Sequence, residues 1–337
     1  MARRIDLLIP GLFWNSAIRS LKDREYRPKN LERILSRSTL IQHSARDLTE
    51  TLFHLFGLEA DEGCDLPAGA VIGQGGDLHL EGRYWASVNP VHLLTDRDRL
   101  ILIRLTPQSI TREYAAQLIK QFNTHFKAEG VTLSQITPDQ WCMGLSSLPD
   151  ITTSNLDSVA GRHIEPYLPV GSGAAAWRKL LNETQMLFFQ DELSQQKMVA
   201  GEAPINAIWV SGIGVCPRVE SDYAALFGSH PLISGFAKLG EISNHALPED
   251  LSEILNQEGN IAILIPDLLD AELDADLSAW ENALATWDRR LVALFKGLDI
   301  SQDRLTIYTC QGQKYSRKRR FSFIDLFTRD RRIEQFV

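Results

Sequence analysis

Two stretches of the 337-residue chain concentrate side chains that can handle charge. Asp267, Asp270, Glu272, Asp274 and Asp276 follow directly on the apolar run Ile261 to Ile265. Acids packed this closely at a helix start either complement the helix dipole and face water, or hold a cation on oxygen, with Asp267 and Asp270 as its ligands. Further on, Lys314-Tyr315-Ser316-Arg317-Lys318-Arg319-Arg320 interleaves cations with an aromatic ring. Guanidinium groups pair bidentately with phosphate, which makes Arg317, Arg319 and Arg320 candidate anion-binding residues, and Tyr315, Phe321 and Phe323 could stack on bases. The alternative is a solvated basic strand in an acidic protein. The Gly171-Ser172-Gly173 turn can cradle phosphate on backbone N–H groups, although a glycine and a capping serine open many helices. His43, His54, His79, His92, His125, His163, His230 and His245 show no H-x-x-x-H or H-E-x-x-H spacing. Cys64, Cys142, Cys216 and Cys310 form no C-x-x-C pair, so they read as buried free thiols rather than zinc ligands.

The formal net charge of -8 argues against a surface built as a whole to hold nucleic acid or anionic membrane. No apolar stretch approaches the roughly 20 residues a membrane span requires. A cytoplasmic protein with neither a membrane nor nucleic acid as its partner is the expectation.

Short apolar runs at Ile5 to Ile9, Leu100 to Leu105, Ala207 to Val210 and Ile261 to Ile265 have the length and branching of buried strands. Those ending at Ile9, Ser211 and Ile265 meet Pro10-Gly11, Gly212-Ile213-Gly214 and Pro266-Asp267, the abrupt change expected at the carboxyl edge of a parallel sheet. Leu31 to Leu35, Leu48 to Phe56, Tyr114 to Phe126, Ala174 to Phe189 and Trp280 to Phe295 carry apolar residues at helical spacing, and Leu305 to Tyr308 reads as a further strand. Strands alternating with helices predict an α/β protein. A mostly parallel core, residues 1–95 and 205–337, is expected to be interrupted by a smaller inserted α/β domain, residues 96–204.

Several segments resemble the archaeal-type cofactor-independent phosphoglycerate mutases of the alkaline-phosphatase-like superfamily. Leu148-Pro149-Asp150-Ile151 with Pro166-Tyr167-Leu168-Pro169-Val170-Gly171-Ser172-Gly173-Ala174 is similar to the region closing their inserted domain. Pro204 to Pro217 is similar to their strand and glycine-rich turn, and Phe227-Gly228 and Leu232 to Leu239 continue the pattern. Arg27-Pro28-Lys29-Asn30-Leu31-Glu32 resembles the family's T-P-N-L-D stretch and Leu55-Phe56-Gly57-Leu58 its L-L-G-Y stretch.

The resemblance implies two divalent cations, Mn or Zn, on Asp and His ligands, with a Ser or Thr nucleophile. This chain departs from that pattern at most of its positions, although Asp267 and Asp270 follow the strand Ile261 to Ile265 where the family carries an Asp. The turn after the first strand reads Pro10-Gly11 where the family has Asp-Gly, and Asp6 reads as a surface or edge group. The G-S-D-T nucleophile segment aligns with Asp47-Leu48-Thr49-Glu50, which puts Leu48 at the hydroxyl position. Ser44 and Thr49 are the candidate nucleophiles left, with a capping role as the plainer alternative. No histidine follows His245, and the final strand runs into Thr309-Cys310-Gln311-Gly312 instead of an Asp-His pair. Arginines of the basic stretch would then occupy the volume of the lost cations.

The expectation is a phosphoglycerate-mutase-like protein without mutase activity and without a cofactor, binding a phosphorylated metabolite or a partner protein. One alternative is an active metal-dependent phosphomutase or phosphatase interconverting 2- and 3-phosphoglycerate, with a Mn or Zn pair on Asp267, Asp270 and distant histidines. Another is a nucleic-acid or regulatory binder working through Lys314 to Arg320 and Arg329 to Arg332.

Overall fold

Ile5, Leu7 and Ile9 lie on one side of an extended segment and Asp6 and Leu8 on the other, and all five are buried. A strand covered on both faces loses the polar alternation of a half-exposed one, which is why it reads as a continuous apolar run. The computed structural model of the chain describes residues 3–21, 26–80, 83–299, 302–317 and 330–336. Lys318, Arg319, Arg320, Phe321, Phe323 and Arg329 lie outside them. The described strands are β1 (Arg3–Leu8), β2 (Ser38–Gln42), β3 (Tyr84–Asp96), β4 (Arg99–Arg104), β5 (Val131–Gln135), β6 (Trp141–Leu145), β7 (Ala207–Gly214), β8 (Tyr223–Phe227), β9 (Ser243–His245), β10 (Asn260–Leu264), β11 (Asp303–Tyr308) and β12 (Gln313–Arg317).

The chain divides into two units, one of residues 1–57, 220–233 and 240–337, the other of residues 58–219 and 234–239. The division falls at 57/58 and 219/220 rather than at the 95/96 and 204/205 expected from composition, and the units are nearly equal in residue number. The reason lies in strand pairing. β3 and β7, which the expected boundaries assign to the core, pair with each other and belong to the second unit.

The first unit is a mostly parallel sheet flanked by helices, in the order β2-β12-β11-β1-β10-β8-β9. β1 runs parallel to β10 and β11, and β8 parallel to β10 and β9, while β12 is antiparallel to both β11 and β2. One face packs on the helix Leu277–Gly297, which buries Trp280, Leu284, Trp287, Leu291 and Leu294 at helical spacing. Each such side chain contributes about 1.5–3 kcal/mol on burial. Asp288 of that helix accepts from the backbone N–H groups of Asn30 (3.0 Å) and Leu31 (2.8 Å). It thereby caps the helix Lys29–Ser36, whose own N-cap, Pro28, offers no side-chain acceptor.

The second unit has a five-stranded antiparallel sheet in which the long strand β3 pairs with β4, β6 and β7. Ala207 to Val210 is therefore not part of the parallel core, and Gly212-Ile213-Gly214 does not stand at the carboxyl edge of a parallel sheet. An apolar run records burial but not strand direction, which is why sequence left this open. The helices Arg112–His125 and Ala174–Phe189 supply Leu118, Phe122, Trp177 and Phe188 to its core. The helix Ala68–Gly75 lies so close to β3 that a Cβ on Gly69 would come within 2.2 Å of the Ala86 carbonyl carbon.

Among the described residues no helix is long and apolar enough to cross a membrane. Cys142 and Cys310 are buried as expected, whereas Cys64 and Cys216 are exposed because they sit in loops.

Candidate functional site

The carboxyl ends of β1, β10 and β11 lie side by side, joined past the strands by Ile9 N–H to the Tyr308 carbonyl (2.9 Å) and Ile265 N–H to the Leu8 carbonyl (3.0 Å). β2 runs in the same direction as β11, two antiparallel pairings away, so His43 emerges at this edge too. An open α/β sheet usually places its ligand here.

The turn after β1 is closed. Pro10, Gly11 and Leu12 are all buried, and the Trp280 indole donates to the Gly11 carbonyl at 2.8 Å. Gly11 has φ +76°, and a Cβ there would sit 2.6 Å from backbone atoms of Leu268 and Leu269. The helix Asp267–Leu273 is thus seated against the position next to which the resemblance implies a metal-binding carboxylate. After β11, Thr309 is fully buried and its hydroxyl donates to the Gln313 carbonyl (3.0 Å), while Cys310 takes a left-handed φ of +57°. Leu48, which the resemblance aligns with the nucleophile position, is buried in the first turn of the helix Leu48–Leu55.

The other candidate residues lie on the loop after β2 and on two helices. Ser44 is exposed in the loop after β2 and Thr49 half-buried in the helix Leu48–Leu55, whose cap is the Asp47 side chain accepting from Glu50 N–H at 2.7 Å. Asp267 is exposed and Asp270 half-buried in the first turn of their helix, and Asp276 caps the next helix by accepting from Ala279 N–H at 2.9 Å. Among the described residues no group of three or more His, Cys, Asp or Glu side chains is placed to hold a metal ion. Pro10, Leu48 and Cys310, which the resemblance aligns with its carboxylate, hydroxyl and imidazole positions, offer a single thiol between them and no oxygen or imidazole side-chain donor for the two cations it implies. Arg317 ends β12 level with Ser38, several residues back from the carboxyl edge, because β12 runs against β11. Tyr315 is 2% exposed and packs between Phe13 and Phe336, so it cannot stack on a base as the sequence suggested. The period-two alternation of β12 turns it inward. In the Gly171-Ser172-Gly173 turn the Gly173 N–H donates to the Asp150 carbonyl (3.0 Å) and the Ala174 N–H to the Gly171 carbonyl (3.2 Å), while the Ser172 hydroxyl donates to the Asp150 carboxylate.

The structure instead brings together a set of polar groups that spacing does not reveal. The His43 and His54 rings meet edge to face at 4.4 Å, and His43 meets Tyr308 at 5.6 Å. The Lys314 ammonium lies 5.6 Å from the Tyr308 ring centre. His43 Nδ1 accepts from Ala45 N–H (3.1 Å), while its buried Nε2 has no partner among the described residues. Burial, and then the charges of His54 and Lys314, lower the His43 pKa below 6.5. Asp6, which sequence placed at a surface or edge, is 1% exposed in the central strand. Tyr223 donates to its Oδ2 at 2.5 Å, and Arg4 Nε approaches the same oxygen at 2.9 Å without a directed hydrogen bond. Burial pushes the Asp6 pKa up to about 6, although the Tyr223 hydroxyl and the Arg4 charge hold it down. Asp6, with a pKa of about 6, can hold or release a proton near neutrality.

No family model matches the sequence. The structure of the PH0037 protein from Pyrococcus horikoshii is similar with a TM-score of 0.51, covering 94% of this chain and 86% of that one at 14% identity, which is a likeness of fold. A cofactor-independent phosphoglycerate mutase from Thermoplasma acidophilum covers 94% of this chain and 89% of its own at 13% identity, with a TM-score of 0.40 that is too low to argue from. A segment of 63 residues is 32% identical to a probable 2,3-bisphosphoglycerate-independent phosphoglycerate mutase of Geobacter sulfurreducens. That segment spans 19% of this chain and 16% of the relative. The chain is thus phosphoglycerate-mutase-like in a short stretch of sequence, and in fold it is similar to the Pyrococcus protein.

Proposed function

We propose that the chain is a phosphoglycerate-mutase-like protein without mutase activity, which binds a phosphorylated metabolite or a partner protein. One observation carries this reading: the turn Pro10-Gly11-Leu12 is buried against the helix Asp267–Leu273 and capped by Trp280, where metal-dependent phosphoryl transfer would need a carboxylate and room for two cations. Fold does not carry chemistry across such a change. The short match to the Geobacter relative supports common descent of that segment, and the fold likeness supports the scaffold.

The test is elemental analysis of the purified full chain, followed by a coupled assay for interconversion of 2- and 3-phosphoglycerate in added manganese or zinc. No stoichiometric metal and no turnover above the uncatalysed rate are the expected results. Stoichiometric metal together with turnover would replace this reading by the active phosphomutase.

A further inference from the structure

A cavity of about 190 Å³ opens between the helices Lys29–Ser36 and Leu277–Gly297 and the end of β12. Arg33, Arg37, Lys296, Arg317, Ile34 and Val292 are among its lining residues, and none of the described residues that line it is acidic. Four cations lining one small space are unexpected in a chain of net charge -8.

The neighbouring charges only partly compensate. Asp330 takes Arg37 at 2.5 Å and stands 3.7 Å from Arg33. Arg37 also donates to the Arg33 carbonyl at 3.1 Å, which holds its guanidinium in place. Arg317 and Lys296 have no ion pair among the described residues, and Arg317 is half-buried. Burial, and then the charge of Arg37, lower the Arg317 pKa from its ordinary value, so the guanidinium is held charged in a place that disfavours charge. An anion relieves both effects, and planar guanidinium groups offer it paired, directed donors.

We propose that this cavity binds a small phosphate-bearing anion, with Arg317 and Arg37 as its principal donors and Lys296 supplying a further positive charge. The volume admits a phosphate group with a short attached chain. This site lies away from the carboxyl edge of the sheet and stands whether or not mutase activity is present.

The experiment is calorimetric titration of the full chain with inorganic phosphate at low ionic strength, with chloride at matched ionic strength as the control, repeated on Arg317→Gln and Lys296→Gln. Loss of a charge-assisted contact is worth about tenfold or more in affinity. The expectation is saturable phosphate binding by the parent chain, weakened about tenfold or more in Arg317→Gln and by a smaller factor in Lys296→Gln. Lys296 is exposed, so its variant decides the matter if Arg317→Gln does not fold. Absence of saturable binding, equal response to chloride, or affinity unchanged in the variants that fold would each overturn the proposal.

Discussion

At the carboxyl end of β1 the backbone passes through Pro10, Gly11 and Leu12 entirely within the protein, whereas at the end of β12 the Arg317 side chain borders a cavity ringed by cations. Both places belong to one sheet of one unit. The difference shows that position on a fold does not determine which end stays open to ligands. A buried turn is set by shape, through a glycine that admits a helix and an indole that satisfies a carbonyl. A charged cavity is set by what cannot be neutralised locally. The two regions therefore respond to different perturbations.

The largest expected effect is at the closed end. Gly11→Ala places a Cβ 2.6 Å from Leu268 and Leu269 backbone atoms at a φ of +76°, so the helix Asp267–Leu273 must shift. A loss of about 3 kcal/mol or more is expected in urea unfolding. A loss below about 1 kcal/mol would show that this end is loosely packed and could reopen.

Charge inside the sheet gives the next effect. Asp6 ionises near 3.8 when unfolded and at about 6 when folded, so the folded chain holds its proton more tightly in between. Its contribution to stability is full below about 4 and is lost as pH rises through about 6, a change of about 3 kcal/mol at most. Asp6→Asn should remove that component in melting curves taken from pH 4 to 7. The lowered pKa of His43 works in the opposite sense, favouring the fold above 6.5 and losing that contribution as pH falls. The variant should expose this trend alone. An unchanged pH profile would mean that Asp6 is ionised throughout. Smallest is Trp280→Phe, which deletes the donor to the Gly11 carbonyl and leaves a small void. A loss of about 2 kcal/mol is expected, measured by the same urea unfolding.

Strand and helix positions in the first unit were legible because apolar spacing follows burial. Ile5 to Ile9, Ile261 to Ile265 and Leu305 to Tyr308 are all part of its sheet, and Trp280 to Phe295 lies within the helix packed on it. Direction was not legible, and β7 accordingly fell into the wrong sheet. Asp6 was misread because a lone acid in an apolar run looks like an edge; Arg4, two residues back on the same face of β1, was the legible signal, whereas its donor, Tyr223, comes from a strand with no fixed spacing to it. His43 and His54 are eleven residues apart in sequence, and only the packing of the helix Leu48–Leu55 near the end of β2 brings their rings together. The basic stretch advertised Arg317, but Arg33, Arg37 and Lys296 join it from two helices far away in the chain.

The placement of β1 also governs the order in which the chain can fold. β1 is made first, yet its two neighbours, β10 and β11, begin at Asn260 and Asp303. At about 5–20 residues per second of synthesis, the sheet of the first unit stays incomplete for roughly tens of seconds after β1 is made. The second unit, nearly all of it within residues 58–219, has its five strands in hand long before. In the nascent chain β1 is therefore without its two sheet partners while the strands of the second unit are already made.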